Sequence, residues 1–396
     1  MKKIFILLFI LVTVFLTGCT KENSDNIFKN LTDKINNLES YKLDGNLEVK
    51  NDNNSYSYNV EVSFMEKDKF RVSLVNTSNN HEQVILRNDD GVFVLTPSLN
   101  KSFKFQSDWP YNNSQIYLLG SIIDDLNNDA NLTKEEKDGK YIFTSKVNYP
   151  NNPDLVKQNV YVTKDLMLEK VEILNTNDEV EMSFKVNNTD YSPTFDESYF
   201  EVNSIINTTN QNNNSNSDNN NNNSSTNETT TNQDTTDGKT TNGNNQTDTN
   251  KNTNTGTNSN TDKNNNPSAN NNQTNRTEPT ATLEDIIYPL YLPSGTVLVE
   301  QEKVSKTDGE RVILTFGGEK GFTLVEETVT KEEEFTVIPT YGEPGFVNDT
   351  IGAVTDNSLN WISGDIEYYL VSDVMNSEEL LSIANSIDIS AVASLK

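Results

Sequence analysis

The chain has very few of the side chains on which most catalytic and metal sites depend. Its 396 residues include one cysteine, Cys19, and one histidine, His81. A disulfide needs two cysteines, a zinc site needs several cysteine or histidine ligands, and acid–base catalysis most often uses histidine. We therefore expect no disulfide, no zinc site and no cysteine nucleophile, and we interpret His81, which lies in a polar turn, as a solvated loop residue.

The chain also has no motif for other common cofactors. No stretch has the spacing of a calcium-binding EF-hand loop or of a glycine-rich phosphate loop. Two carboxylates would suffice for a glycosidase, but we interpret Glu326-Glu327 and Glu332-Glu333-Glu334 as a solvated hairpin face. The sequence thus predicts a protein that is not an enzyme and has no metal and no cofactor.

Basic side chains are scarce. There are 31 lysines and arginines against 59 aspartates and glutamates, which gives a net charge of −28 at pH 7. From Thr282 onward, 21 acidic residues face 6 basic ones. Such a surface repels nucleic acids and anionic lipid headgroups, so we expect no nucleic-acid partner and favour a basic one.

Long apolar runs are absent apart from the one at Ile4–Leu16. It follows Lys2 and Lys3 and leads into Leu16-Thr17-Gly18-Cys19. The run is short for a membrane-spanning helix, and the pattern is typical of a secretory signal peptide that ends at a lipidated cysteine. We predict that residues 1–18 are a lipoprotein signal peptide and that acylated Cys19 anchors the chain on the outer face of the cytoplasmic membrane.

Residues 207–281 contain almost no apolar side chains and consist mainly of Asn, Thr, Ser, Asp and Gln. Such a segment cannot bury enough surface to offset its ordering entropy. We predict a disordered linker, and a flexible coil of about 75 residues spans roughly 50 Å. The linker would separate domains at residues 26–206 and 282–396 that need not touch.

The first of these domains begins with a helical pattern and continues with strands. Apolar residues recur at helical spacing from Ile27 to Leu38, and from Tyr41 the period falls to two. A second amphipathic helix is predicted at Ser114–Leu126. This order predicts an α+β fold in which helices cover one face of an antiparallel sheet. Strands are predicted at 41–49, 56–64, 70–75, 83–87, 92–96, 102–105, 140–147, 156–163, 168–175 and 180–188.

Three stretches of this domain resemble the lipoprotein-localisation carrier (LolA-like) superfamily. They are Phe64–Val72 with its Phe-Arg pair, Val84–Val94 with its Asp-Gly turn, and the turn Pro97–Lys101. The chain departs from the carriers at Lys67-Asp68, where they favour Pro-Gly. Within the superfamily it is most similar to the germination-lipoprotein (GerS-like) group of Gram-positive spore formers. The resemblance implies an antiparallel half-open β-barrel with a helical lid, around an apolar cavity that receives acyl chains.

A second, small α+β domain is predicted after the linker. Tyr288–Thr296 resembles the opening of a small domain of unknown function in Gram-positive envelope proteins. Leu359-Asn360-Trp361, residues 367–372 and residues 377–387 resemble the end of that domain. Its combination with a carrier-like domain is similar to the periplasmic regulators of extracytoplasmic sigma factors.

We expect ligand or partner binding at the concave face of the first sheet. The carrier resemblance implies that Arg71 helps to hold lid and ligand, although an arginine on the outward side of its strand is the alternative. Trp109 either faces a partner or closes the edge of the core. The apolar residues of the second helix either gate the cavity or belong to the core. The candidate binding residues are Arg71, Trp109, Ile116, Leu119 and Ile123.

Two functions fit this sequence. The first is a non-catalytic envelope lipoprotein that binds a partner protein, in sporulation or germination. The second is a lipid-binding envelope sensor or chaperone that takes acyl chains into the half-barrel cavity.

Overall fold

A computed structural model describes residues 24–51, 54–206, 282–283 and 285–387. The predicted signal peptide, Cys19 and the predicted linker at 207–281 lie outside these ranges. We refer to the described residues up to 206 as the N-terminal region and to those from 282 onward as the C-terminal region. All of them belong to one compact unit.

The N-terminal region forms a large open sheet that is covered on one face by two helices, α1 (Ser24–Asn36) and α2 (Leu119–Asn128). The predicted α+β class is confirmed. The sheet stays open and does not close into a barrel. Its strands are β1 (Ser40–Asn51), β2 (Asn54–Met65), β3 (Lys69–Asn76), β4 (Glu82–Asn88), β5 (Gly91–Thr96), β6 (Lys101–Phe105), β7 (Thr133–Lys137), β8 (Lys140–Lys146), β9 (Leu155–Thr163), β10 (Leu168–Asn175) and β11 (Val180–Asp190).

Both faces of this sheet are buried at β4 and β5, by different parts of the chain. Alternation along β3 sends Phe70, Val72 and Leu74 to the helix-covered face, where they join a core with both helices. On the other side of the sheet, strands β4 and β5 pack under Phe200 and Ile205. We call this side the tail-covered face. Phe200 belongs to a 3₁₀ helix at Glu197–Phe200, near the end of the N-terminal region.

The second helix is shorter than predicted. Its first residue is Leu119 rather than Ser114. The residues before it are tied to a neighbouring loop, because the Ser114 N–H donates to the Asn148 carbonyl (2.8 Å) and the Ser114 hydroxyl accepts from the Asn148 N–H (2.7 Å). These bonds hold Ser114 against the loop, and a turn at residues 116–117 separates it from the start of the helix.

The C-terminal region forms a second, seven-stranded sheet with one helix, α3 (Ser377–Asn385), so the predicted second α+β unit is confirmed at the level of fold class. A capping box between Asn376 and Glu379 fixes the start of α3. The strands of the region are β12 (Val297–Ser305), β13 (Glu310–Gly317), β14 (Phe322–Thr328), β15 (Thr336–Thr340), β16 (Glu343–Val347), β17 (Thr350–Val354), β18 (Ser358–Ser363) and β19 (Ile366–Val371). The order in the sheet is β12-β13-β14-β19-β18-β17-β16.

One strand of the C-terminal region joins the sheet of the N-terminal region. Strand β15 pairs in parallel with the edge strand β6, from Thr336 opposite Lys101 to Thr340 opposite Phe105. Pro339 is tolerated there because β15 is itself an edge strand. The expectation that the two regions need not touch is therefore wrong. Composition predicts a linker at residues 207–281, but it carries no information on which strand edges pair across that segment.

None of the helices in the described ranges is both long and apolar enough to cross a bilayer.

Candidate functional site

The helix-covered face of the first sheet is the site that the sequence assigned to a ligand, and the C-terminal region packs against it. Ile351 and Ala353 of β17 are buried in the same core as the two helices. Phe346 of β16 packs its ring against Tyr58 of β2, with ring centroids 5.7 Å apart. Apolar side chains of this chain thus cover part of the surface that the carrier resemblance assigns to acyl chains.

A buried glutamine fixes this contact. Gln83 lies on the helix-covered face of β4, two residues before Ile85. Its amide nitrogen donates to the Ile351 carbonyl (3.0 Å), and its side-chain oxygen accepts from the Ile351 N–H and the Thr350 hydroxyl (2.6 Å each). The side chain therefore pairs with β17 as a neighbouring strand would, and it satisfies polar groups that are otherwise buried without a partner.

An asparagine makes a second set of bonds between the regions. Asn348 has a positive φ of 57°, which asparagine tolerates better than most residues. Its side-chain amide donates to the Ala384 and Ile387 carbonyls at the end of α3 (3.2 and 2.8 Å). Its side-chain oxygen accepts from the Tyr56 hydroxyl, and its own carbonyl accepts from the Asn51 amide (3.2 Å). The β1–β2 hairpin is thereby joined to α3.

A third set of bonds lies beside β15. The Asn100 side chain donates to the Glu332 carbonyl (2.7 Å), and Lys101 forms an ion pair with the Glu332 carboxylate (3.5 Å). The Glu332 side chain is partly solvated, as the prediction of a solvated hairpin face requires, and it also connects the two regions. The ion pair is partly exposed and contributes little energy by itself, so its value lies in fixing the register of β15.

A cavity of about 720 Å³ remains between the two regions. One wall is apolar and includes Val49, Ile85 and Ile116 of the N-terminal region. Across from them lie Phe346 and Leu381 of the C-terminal region. The lining also contains many amide and carboxylate side chains, which are Asn51, Asn113, Gln115, Asn151, Asn152, Asp154, Asn175, Glu179, Glu181, Glu378 and Asn385.

Four of the five predicted binding residues lie in the core on this face. Ile116, Leu119 and Ile123 are buried, and only Ile116 also lines the cavity. Trp109 is buried as well and packs edge-on against Phe70, with ring centroids 6.0 Å apart. Of the two alternatives for Trp109, the structure places it at the edge of the core.

Arg71 lies on the opposite, tail-covered face. Its guanidinium stacks over the ring of Tyr199 at 4.5 Å and donates to the Tyr199 carbonyl (3.3 Å). Of the two alternatives for Arg71, the structure places it on the side of its strand away from the helices, and the implied position beside lid and ligand is wrong. Since side chains alternate along a strand, Arg71 cannot share the face of its neighbours Phe70 and Val72.

Replacement of Arg71 by alanine is expected to loosen the 3₁₀ helix at Glu197–Phe200 by about 1 kcal/mol, because a cation–π contact and a hydrogen bond are lost. Hydrogen exchange of residues 195–206 should become faster, with Arg71→Lys intermediate. Exchange on α2 should not change. If exchange at α2 became faster while exchange of residues 195–206 did not change, Arg71 would act on the helix-covered face instead.

His81 lies near the contact between the regions and is only half-buried. Its Nε2 is 3.2 Å from the Ser98 hydroxyl. Burial lowers the pKa of His81, and the carboxylates of Asp349 and Asp365 oppose this shift. Within the described ranges no carboxylate forms an ion pair with His81. His81 and Ser98 therefore lack the acid that orients the histidine in a Ser–His–Asp arrangement. His81 thus lies in a loop, and it is less solvated than its polar sequence neighbours indicated.

The C-terminal sheet contains an acidic side chain in its core. Glu326 is fully buried beside Leu324, and its carboxylate accepts from the Ile287 N–H (3.1 Å). Burial raises the pKa of Glu326 to about 7, and the bond from Ile287 only partly opposes this. The prediction that Glu326 is solvated is therefore wrong. Alternation along β14 already placed Phe322, Leu324 and Glu326 on one face.

Glu326 should make the C-terminal region less stable as the pH rises. The pKa of about 7 in the folded chain exceeds the ordinary value of 4.5, so the folded state binds more protons between these values and its stability falls from about pH 4.5 to about pH 7. Glu326→Gln should be more stable than the parent by about 2 kcal/mol at pH 8 and similar to it at pH 5. Urea unfolding at both pH values measures this.

The adjacent Glu327 provides the control. Burial alone would raise its pKa, but hydrogen bonds from Lys306 and Arg311 lower it below the ordinary value. Glu327→Gln should therefore destabilise the chain at pH 8. If Glu326→Gln destabilised the chain at pH 8 as much as Glu327→Gln does, the Glu326 carboxylate would be ionised and stabilised by hydrogen bonds in the folded chain.

No group of three or more His, Cys, Asp or Glu side chains that could hold a metal ion exists within residues 24–51, 54–206, 282–283 and 285–387.

The fold and this site define an α+β protein in which a large open sheet carries a second sheet on its helix-covered face. A family model described as "Sporulation protein YdcC-like" matches residues 1–200. The sporulation protein YdcC of Bacillus subtilis (strain 168) is 30% identical over 389 residues, which are 98% of this chain and 97% of that protein. The chain therefore belongs to the YdcC-like sporulation protein family, which confirms the predicted relationship to sporulation proteins.

Similar solved structures include a LolA superfamily protein and chains from two complexes. The LolA superfamily protein from Nitrosomonas europaea has 10% identity and a TM-score of 0.27 over 44% of this chain and 98% of its own. One chain from the structure of the CwlD amidase of Clostridioides difficile in complex with the GerS lipoprotein has 14% identity and a TM-score of 0.24, over 46% of this chain and 99% of its own. One chain from the MucA/MucB complex of Pseudomonas aeruginosa has 11% identity and a TM-score of 0.26, over 91% of this chain and 98% of its own.

Proposed function

We propose that this chain is a non-catalytic envelope lipoprotein of sporulation, anchored through Cys19, which binds a partner protein with its two folded regions together. The observation that carries the proposal is that the C-terminal region packs on the helix-covered face. A carrier must keep this face open for its cargo, whereas here Ile351, Ala353 and Phe346 pack against it and Gln83 pairs with β17.

The two regions act as one binding platform in this proposal. They share a sheet through β15, a core through β17 and polar bonds through Asn348. Contacts of these three kinds hold the exposed faces of both regions in a fixed relation to each other. A rigid surface loses little conformational entropy when it binds a partner, which suits a structural component of an envelope complex.

A second candidate function is favoured by the cavity between the regions. Its volume of about 720 Å³ and its apolar wall at Val49, Ile85 and Ile116 would accommodate an acyl chain. The numerous amide and carboxylate groups in the rest of its lining disfavour an acyl chain, because they would lose hydration without gaining hydrogen bonds. We therefore rank a lipid-binding sensor or chaperone second.

Native mass spectrometry of the full-length protein, solubilised from sporulating cells in mild detergent, separates the two functions. We expect a stoichiometric protein partner and no non-covalent acyl lipid. An Ile116→Trp variant narrows the cavity and serves as the matched control, since it should leave partner capture unchanged. Acyl lipid bound to the parent chain and displaced by Ile116→Trp would overturn the proposal in favour of the second function.

A further inference from the structure

The edge strand β12 of the C-terminal sheet differs from the other strands in its exposure. It pairs with β13 on one side and is the last strand of the sheet on the other. Its first three residues, Val297, Leu298 and Val299, are exposed at 59%, 40% and 60%. No other segment of the described ranges pairs with its free edge, so a row of backbone donors and acceptors faces outward beside apolar side chains.

Two unpaired carboxylates define the charge of this edge. Glu300 and Glu302 are exposed and form no ion pair within the described part of the chain. The lysine on the same strand is already neutralised, because Lys303 pairs with Glu310 at 2.8 Å. The C-terminal region as a whole carries an excess of acidic residues. The edge therefore presents negative charge next to its apolar patch.

A second copy of this chain is a poor match for the acidic half of the edge. Antiparallel self-pairing centred on Gln301 would place Glu300 opposite Glu302 of the other copy, twice in the same ladder. Like charges directly opposite each other destabilise strand pairing. The repulsion between two strongly acidic chains adds to this cost.

We propose that the free edge of β12 receives an extended, basic segment of a partner protein as an added strand. Main-chain hydrogen bonds to β12 would give affinity, apolar side chains would pack on Val297 and Val299, and lysine or arginine would pair with Glu300 and Glu302. Tyr288, whose hydroxyl donates to the Gln301 side chain at 2.6 Å, would border this groove. The inference rests on the proposed partner-binding function and specifies the partner's chemistry.

A synthetic nine-residue peptide that alternates lysine and valine, with acetylated and amidated ends, is the probe. Its binding to the full-length protein in detergent is measured by fluorescence anisotropy at low ionic strength. The Glu300→Lys/Glu302→Lys double variant should bind at least about tenfold more weakly, a change of about 1.4 kcal/mol. A peptide with N-methyl groups on alternate residues should lose binding, because it cannot complete the strand ladder.

Strand β7 supplies the matched control, since it is the edge of the other sheet and has exposed acids but no exposed apolar residues. Glu135→Lys/Glu136→Lys should leave affinity unchanged. Equal binding by the β12 double variant, equal binding of the N-methylated peptide, or no binding to the parent chain would each overturn the inference. If one of these results were obtained and native mass spectrometry still recovered a partner, the proposed function would stand. Only the assignment of the partner to the β12 edge would be rejected.

Discussion

Replacement of Gln83 by alanine is expected to loosen the contact of β17 with the first sheet while both regions stay folded. The substitution leaves the Ile351 N–H and carbonyl and the Thr350 hydroxyl without partners in a buried contact. Buried polar groups that lose their partners cost about 1–3 kcal/mol each, so we expect a loss of about 3 kcal/mol. Amide hydrogen exchange in β17 should become roughly a hundredfold faster at that cost.

Gln158 is the matched control for this experiment. It is buried like Gln83, but its amide donates to the Ile122 carbonyl (3.4 Å) and the Ser145 hydroxyl (3.0 Å), both within the N-terminal region. Gln158→Ala should speed exchange in β8 and β9 and leave β17 protected. If Gln158→Ala released β17 as readily as Gln83→Ala, the bonds of Gln83 would not be what holds the regions together.

Replacement of Cys19 by alanine is expected to abolish membrane retention completely. A diacylglycerol anchor places two acyl chains in the bilayer, and each buried methylene contributes about 0.8 kcal/mol. A chain with a net charge of −28 cannot replace this attraction by binding anionic headgroups. Labelled fatty acid incorporation followed by cell fractionation measures the effect.

The neighbouring Thr20→Ala variant should stay acylated and membrane-bound, which controls for export and expression. Membrane retention of the Cys19→Ala chain, or its continued acylation, would contradict the proposed anchor.

Elements with a strong local pattern were predictable from the sequence. Alternating apolar residues predicted β1 to β6 and β8 to β11, and the helical spacing of Ile27, Leu31 and Ile35 predicted α1. The core role of Ile116, Leu119 and Ile123 was one of the two alternatives that the sequence left open. In each case the signal lies within a few neighbouring residues, because a single buried face determines the period.

The features that the sequence did not predict depend on partners far along the chain. Strand β15 contains a proline, and its pairing partner β6 lies more than 200 residues earlier. Strand β12 is exposed on both faces and has no apolar alternation. In the sequence Gln83 is an ordinary polar strand residue, because its role depends on bonds to β17 that only the structure shows. The location of the candidate site between two regions therefore required the structure.

Zero-length carbodiimide cross-linking tests the central claim most directly, namely that the C-terminal region lies on the N-terminal one. The account predicts an amide bond between Lys101 and Glu332, whose charged groups are 3.5 Å apart. It should form within one chain and at a yield similar to that of the Lys42–Glu61 pair, which lies inside the N-terminal region at 2.8 Å. A peptide map with the Lys42–Glu61 link but no link between the regions would contradict the account.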